Sequence, residues 1–183
     1  MNLFDTVPHL EGERLLLREM DFCDEHALAE LAADSAVNRY LPGHLYEQKH
    51  ADKHETIESM RRECFDAHKS ILLAICLRTA PSEMMGIAEI YNYNEKEQKA
   101  SIGCRLAERY WHRGIATEAT NMLKEYLVGQ VGLKTITAHV MVGNKASAHT
   151  LEKCGFVKQS SGLWEDWGLG DLVEADKYVF ESR

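Results

Sequence analysis

Apolar positions along this chain recur at helical spacing in some segments and at strand spacing in others, and the changes between the two mark its elements. Arg14-Leu15-Leu16-Leu17-Arg18 is a short apolar run between charges, the pattern of a first strand. From Asp24 onward Ala27, Leu28, Leu31 and Ala32 lie on one helical face, with Asp21 or Asp24 placed to cap the first turn. Pro42-Gly43 breaks the chain. Asp52 to Phe65 is charged and helix-forming, and Ile57, Met60 and Cys64 give it one narrow apolar face. Ile71 to Leu77 is a nearly continuous apolar run, as in a strand covered on both faces. Gly86 to Tyr93 and Ala100 to Leu106 alternate, and the polar stretch Asn92 to Lys99 between them reads as a hairpin.

Gly114 opens a long helix whose stripe is Ile115, Ala119, Met122, Leu123, Tyr126 and Leu127, and Gly129 and Gly132 are placed to end it. Thr135 to Val142 is rich in β-branched residues and predicts a strand. Asn144 caps a short helix that stops at Gly155, and Phe156 to Ser160 and Val173 to Phe180 are the last strands. The layer rules turn this order into a mixed α/β (α+β) domain spanning residues 1–183. Its sheet has about six to seven mostly antiparallel strands, with about four helices packed on it.

Composition narrows the function. The chain has 183 residues, 45% of them hydrophobic and 27% charged, as in ordinary globular domains. A net charge of −8 argues against nucleic acid as the main ligand, since phosphate neutralisation needs a dense basic surface. Acidity suits cationic substrates such as amines, but many proteins are acidic simply for solubility. The five cysteines lack the number and spacing of a disulfide framework. The N-terminal stretch is acidic without an apolar h-region, and no apolar run is long enough to span a bilayer. These features predict a cytoplasmic protein with no membrane partner.

The stretch that carries chemistry is Tyr110-Trp111-His112-Arg113-Gly114-Ile115-Ala116-Thr117-Glu118-Ala119. A strand ends near Leu106, a short loop follows, and an amphipathic helix begins on small residues. The first turn of a helix offers unpaired N–H groups and a partial positive charge, and small residues let a phosphate approach them. A tight turn with nothing bound fits the same residues. The glycines of a dinucleotide loop and the Gly-Lys-Ser/Thr of a nucleotide-triphosphate loop are both missing.

At these residues the sequence resembles the GNAT superfamily of N-acetyltransferases, and within it the branch of ribosomal-protein N-terminal acetyltransferases. Trp111, His112, Arg113, Gly114, Ile115 and Ala116 match the family's coenzyme A pyrophosphate loop, with Trp111 where the broad pattern has Arg or Gln. Glu13 to Arg18 resembles the first strand, and Gly103-Cys104-Arg105-Leu106 the splayed fourth strand. Asn144-Lys145-Ala146-Ser147 with Leu151-Glu152-Lys153-Cys154-Gly155-Phe156 resembles the segment near the pantetheine arm. Together these cover about residues 11 to 181.

The resemblance implies a sheet splayed around acetyl-CoA as cosubstrate, and direct attack of an amine on the thioester in a ternary complex. It implies coenzyme contacts from Cys104, Arg105, Leu106, the loop and first turn through Thr117, and Asn144. Asn144 is equally placed to be a helix cap. Glu89 and Glu174 are candidate bases, because an amine that is protonated at neutral pH must lose a proton. The base position common in the family falls near Ser101, which cannot replace it, and the usual Tyr acid position is Leu151. The branch has a Ser at the position of Ser147, which makes it the candidate acid for the departing thiolate; a helix-capping Ser fits the same residue, and the thiolate can also leave with water's help alone. The acceptor is an amine on a small molecule or a peptide, and the segments Tyr40 to Phe65 and Trp164 to Trp167 are the candidates to shape its site. A non-catalytic acyl-CoA sensor is the alternative reading, and both monomer and homodimer stay open. His50 and His54, four apart on a helix, lack further metal ligands nearby, and Asp171, Glu174 and Asp176 read as a solvated acidic face.

Overall fold

The computed structural model describes residues 3–41, 50–167 and 170–182, so the Pro42-Gly43 break lies outside the described residues. The chain opens with β1 (Leu10–Glu11) and β2 (Leu15–Glu19), followed by α1 (Glu25–Ala33), α2 (Ser35–Asn38) and α3 (Lys53–Met60). Next come β3 (Ser70–Leu77), β4 (Ala80–Asn94), β5 (Lys99–Leu106), α4 (Ile115–Tyr126) and β6 (Thr135–Met141). Helix α5 (Lys145–Lys153) and the hairpin of β7 (Val157–Asp166) and β8 (Leu172–Glu181) complete it.

Aspartates start the early helices, as their short acceptors allow. Asp34 accepts from the N–H groups of Ala36 and Val37, and Asp52 from that of His54. Asp21 caps a short 3-10 turn, Phe22–Asp24, rather than α1. Asp24 is buried and gives both carboxylate oxygens to Arg18 at 2.7 Å. Helix α4 runs through Gly129 in a π turn, Leu127–Val131, and stops only at Gly132, whose φ of 84° suits a residue without a Cβ.

The strands form one eight-stranded sheet in the order β1-β2-β3-β4-β5-β6-β8-β7. Sequence patterning misses β1 and α2 because a two-residue strand and a single turn are too short to show a period. All neighbours are antiparallel except β5 and β6. Side chains alternate across the sheet. Ile71, Leu73 and Ile75 of β3 therefore join Ile115, Ala119 and Leu123 of α4 in one core. Leu72, Ala74 and Cys76 join Leu28, Leu31, Ile57 and Met60 of α1 and α3 in the other. Leu73 and Leu123 are fully buried, and truncating such residues costs about 2–5 kcal/mol.

The parallel pair sets up the site. β5 and β6 are joined only from Lys99–Thr135 to Ser101–Thr137. At the last rung the Ser101 and Thr137 hydroxyls, both buried, meet at 2.8 Å. Beyond it the two strands part, and their facing backbone groups have no ladder partner in each other.

Candidate active site

A cavity of about 1130 Å³ fills the gap between β5 and β6 and passes through the sheet. Side-chain parity defines its two ends. Ile102, Cys104, Ala138 and Val140 face the α4–α5 side, where Ile115, Ala116 and Asn144 also line the wall. Gly103, Arg105 and His139 belong to the other face, with Glu89 and Tyr91 of β4 beside them.

The loop before α4 is shaped by two left-handed residues, His112 at φ 59° and Gly114 at φ 75°. Gly114 occupies the N-cap of α4 and offers no side chain to its first turn. The N–H groups of Ile115, Ala116 and Thr117 lie too early in the helix for an intrahelical acceptor, and all three residues line the cavity. A left-handed turn without a Cβ, followed by unclaimed amides at the positive end of a dipole, suits a pyrophosphate.

Trp111 and His112 line the cavity too, and the Trp111 indole donates to the Leu106 carbonyl at 2.8 Å. That bond folds the loop back onto the end of β5. Arg113 is exposed outside the lining, stacked over the Tyr110 ring at 5.7 Å. Its carbonyl accepts from Arg14 at 3.2 Å. Asn144 caps α5 by accepting the Ser147 N–H at 3.2 Å, and both residues line the cavity, as does Leu151. Cys104 also lines it, but burial pushes its thiol up to about 12, so it stays neutral.

Glu89 lies on the far side of the splay from α4, with Arg105 Nη1 at 3.2 Å from its carboxylate. Burial, with the charges of Glu89 and Glu165, raises the Tyr91 phenol above its ordinary range. Glu174 does not join this group. It is exposed, packs beside Gly162, and stands on the α4–α5 face, because the register pairs His139 with Lys177 and leaves Glu174 at the opposite parity. Asp176, on that same face, is bonded to Lys158 at 2.6 Å.

Of the segments expected to shape an acceptor site, Tyr40 and Leu41 line the cavity, as do Glu165, Asp166 and Trp167. Residues 42–49 lie outside the described residues. Trp164 pairs with Glu174 and turns to the other face. His54 is stacked on Phe22 at 3.7 Å and bonded to Glu25 at 2.9 Å. Sequence reasoning missed His139 and the Arg105 side chain. The polar positions Thr135, Thr137 and His139, alternating with Ile136, Ala138 and Val140, carried a signal for the first.

The family model described as "Acetyltransferase (GNAT) domain" matches residues 14–157. The chain is 28% identical over 155 residues to the uncharacterized N-acetyltransferase YoaA of Bacillus subtilis (strain 168), spanning 83% of this chain and 84% of that one. Its fold is similar to RimL, the ribosomal L7/L12 alpha-N-protein acetyltransferase in complex with coenzyme A. That match has a TM-score of 0.78 and 17% identity, over 95% of this chain and 98% of the other. The spermidine N-acetyltransferase from Vibrio cholerae, in complex with CoA and spermine, aligns with a TM-score of 0.75 and 18% identity, over 93% and 96%. This chain belongs to the GNAT family of acetyl-CoA-dependent N-acetyltransferases.

Proposed function

We propose that the protein acetylates a primary amine, on a protein N-terminus or a small cationic molecule, and that the two substrates meet where β5 and β6 part. The observation that carries this reading is a cavity running through the sheet with chemically opposite ends. One end has the unclaimed first-turn amides of α4. The other has Glu89 and Glu165 on its wall. The first suits a pyrophosphate and the second an ammonium group.

Acetyl-CoA supplies an activated acetyl group, and the protein's part is to place it. Gly114, Ile115, Ala116 and Thr117 hold the phosphates. The open backbone of Cys104, Arg105 and Leu106 pairs with the pantetheine amides and gives an N–H to the charge that develops on the thioester oxygen. Such a donor is worth about 2.7–4 kcal/mol where one has been removed elsewhere. Holding both reactants in one cleft contributes up to about 7–11 kcal/mol. Ser147, at the start of α5, is the acid for the departing thiolate. Glu89 draws the ammonium to the splay, its charge partly offset by Arg105.

The two solved relatives act on these acceptor types by name, one on a protein N-terminus and one on spermidine. The test is release of free coenzyme A thiol from acetyl-CoA with spermidine, n-butylamine or a tetrapeptide bearing a free N-terminus. Saturable, amine-dependent release supports the reading. Release that ignores the amine contradicts it.

A further inference from the structure

His139 and Glu165 lie on strands that do not pair with each other, since β8 stands between β6 and β7 in the sheet. Their side chains meet nonetheless, with Nδ1 of His139 2.5 Å from Oε1 of Glu165. Ahead of Glu165, β7 pairs irregularly with β8, with shifts between Lys158 and Ser160 and between Ser160 and Leu163. Bulges of this kind bend a strand, and Glu165 stays paired with Val173 of β8 while its side chain reaches His139. Trp167 then donates its indole N–H to the second oxygen of Glu165 at 2.7 Å. The carboxylate is held at both oxygens, and both side chains are about three-quarters buried, 24% and 23% exposed, in the cavity wall.

A carboxylate on Nδ1 selects the tautomer with its proton there and leaves Nε2 as the nitrogen that exchanges protons. His139 also stands on the face of the sheet where the cavity is acidic, past the last rung joining β5 to β6. The other groups there are less suited to take a proton. Glu89 is engaged by Arg105, and the Tyr91 phenol is held in its neutral form.

Resting on the amine-acetyltransferase reading above, we propose that His139 takes the proton from the acceptor's ammonium group. Glu165, steadied by Trp167, is the positioning residue that orients it. The proton passes from R–NH3⁺ to Nε2, leaving a neutral amine and an imidazolium beside Glu165. The amine's lone pair forms the C–N bond to the thioester carbon, and the C–S bond breaks. The second N–H proton ends on the thiolate sulfur, directly or by way of the Ser147 hydroxyl, and His139 returns its proton to solvent. The charges acting on the imidazole are Glu165 from β7, Lys177 opposite it on β8, Glu89 and Tyr91 from β4, and Arg105 from β5.

The test combines acetyl-CoA calorimetry with the pH dependence of kcat, for spermidine, n-butylamine and the tetrapeptide, in wild type, His139→Gln and Glu165→Gln. Alkylamines ionise near about pH 10, so a limb between about pH 5 and 8 belongs to the protein. His139→Gln is expected to bind acetyl-CoA as wild type does, to lose about 10²–10⁴-fold in kcat, and to lose the limb. Glu165→Gln, which keeps the side-chain shape, is expected to alter the limb and to lose less in kcat. Amine-dependent turnover whose limb survives in His139→Gln overturns the assignment while leaving the acetyltransferase reading intact. Absence of acetyl-CoA binding, or of any amine-dependent turnover in wild type, overturns both.

Discussion

Glu118, in the first turn of α4, reaches back to Arg14, the residue before β2, and bonds it twice and its neighbour Leu15 once. Its Oε1 accepts the backbone N–H groups of Arg14 and Leu15 at 2.8 and 3.0 Å, and its Oε2 meets Arg14 Nε at 2.8 Å. Arg14 in turn donates to the carbonyl of Arg113 in the loop before α4. Arg14 and the first residue of β2 thus anchor both the helix and the loop before it. Burial pushes the Glu118 carboxyl up, but the bonds from Arg14 and Leu15 outweigh it and hold it below the usual range.

A carboxyl lowered in the folded state contributes stability above its unfolded value, near about pH 4.3, and loses it as pH falls through the folded value. Glu118→Ala should therefore cost about 1–3 kcal/mol at neutral pH. The gap between variant and wild type should close below about pH 4. Urea unfolding across pH checks this, and a gap that does not change with pH contradicts it.

The hydroxyl pair at the splay makes a second prediction. Thr137→Val leaves the buried Ser101 hydroxyl without its partner, at a cost of about 1–3 kcal/mol. Adding Ser101→Ala removes the orphaned group, so the double variant should be more stable than Thr137→Val alone. Additive losses in a double-mutant cycle would show that the pair does not act as a unit.

Gly86 predicts a third outcome. A Cβ there would stand 2.1 Å from the Arg105 carbonyl oxygen and 2.8 Å from Leu106 Cα. Both contacts are backbone, so Gly86→Ala must push β5 away from β4 along the cavity wall. The expected cost is about 1–3 kcal/mol in stability or more, together with weaker acetyl-CoA binding. Unfolding and calorimetry on the same sample separate the two effects.

Ser147→Ala should lower turnover more than acetyl-CoA affinity, because its hydroxyl is assigned to the leaving thiolate while its N–H, not its side chain, bonds Asn144. Steady-state rates beside calorimetric titration check this. Unchanged turnover removes Ser147 from the mechanism.

Much of the fold was readable before the structure because its elements carry clean periods. The stripe from Ile115 to Tyr126 is buried as patterned, and Asn144 caps α5 through Ser147. The left-handed Gly114 at the start of α4 was legible because a glycine ahead of an amphipathic stripe marks a helix start. What depends on pairing was not legible. Nothing local to Glu89 names Arg105 as its partner, a contact set by the antiparallel register of β4 on β5. Parity on β8 depends on the partner strand, and it puts Glu174 on the face away from Glu89. The His139–Glu165 contact reaches across an intervening strand, which leaves no mark in either residue's neighbours. Trp111 gains its meaning only from the Leu106 carbonyl it caps.

The central claim is that the first turn of α4 holds acetyl-CoA. Calorimetric titration of the wild type and of Gly114→Glu tests it most directly, because the substitution puts a side chain and a negative charge at φ 75°, beside the amides. The account predicts saturable binding at roughly micromolar levels in wild type, about −8 kcal/mol, and its loss in the folded variant. Folded wild-type protein that does not bind acetyl-CoA, or a variant that binds it undiminished, would contradict the account.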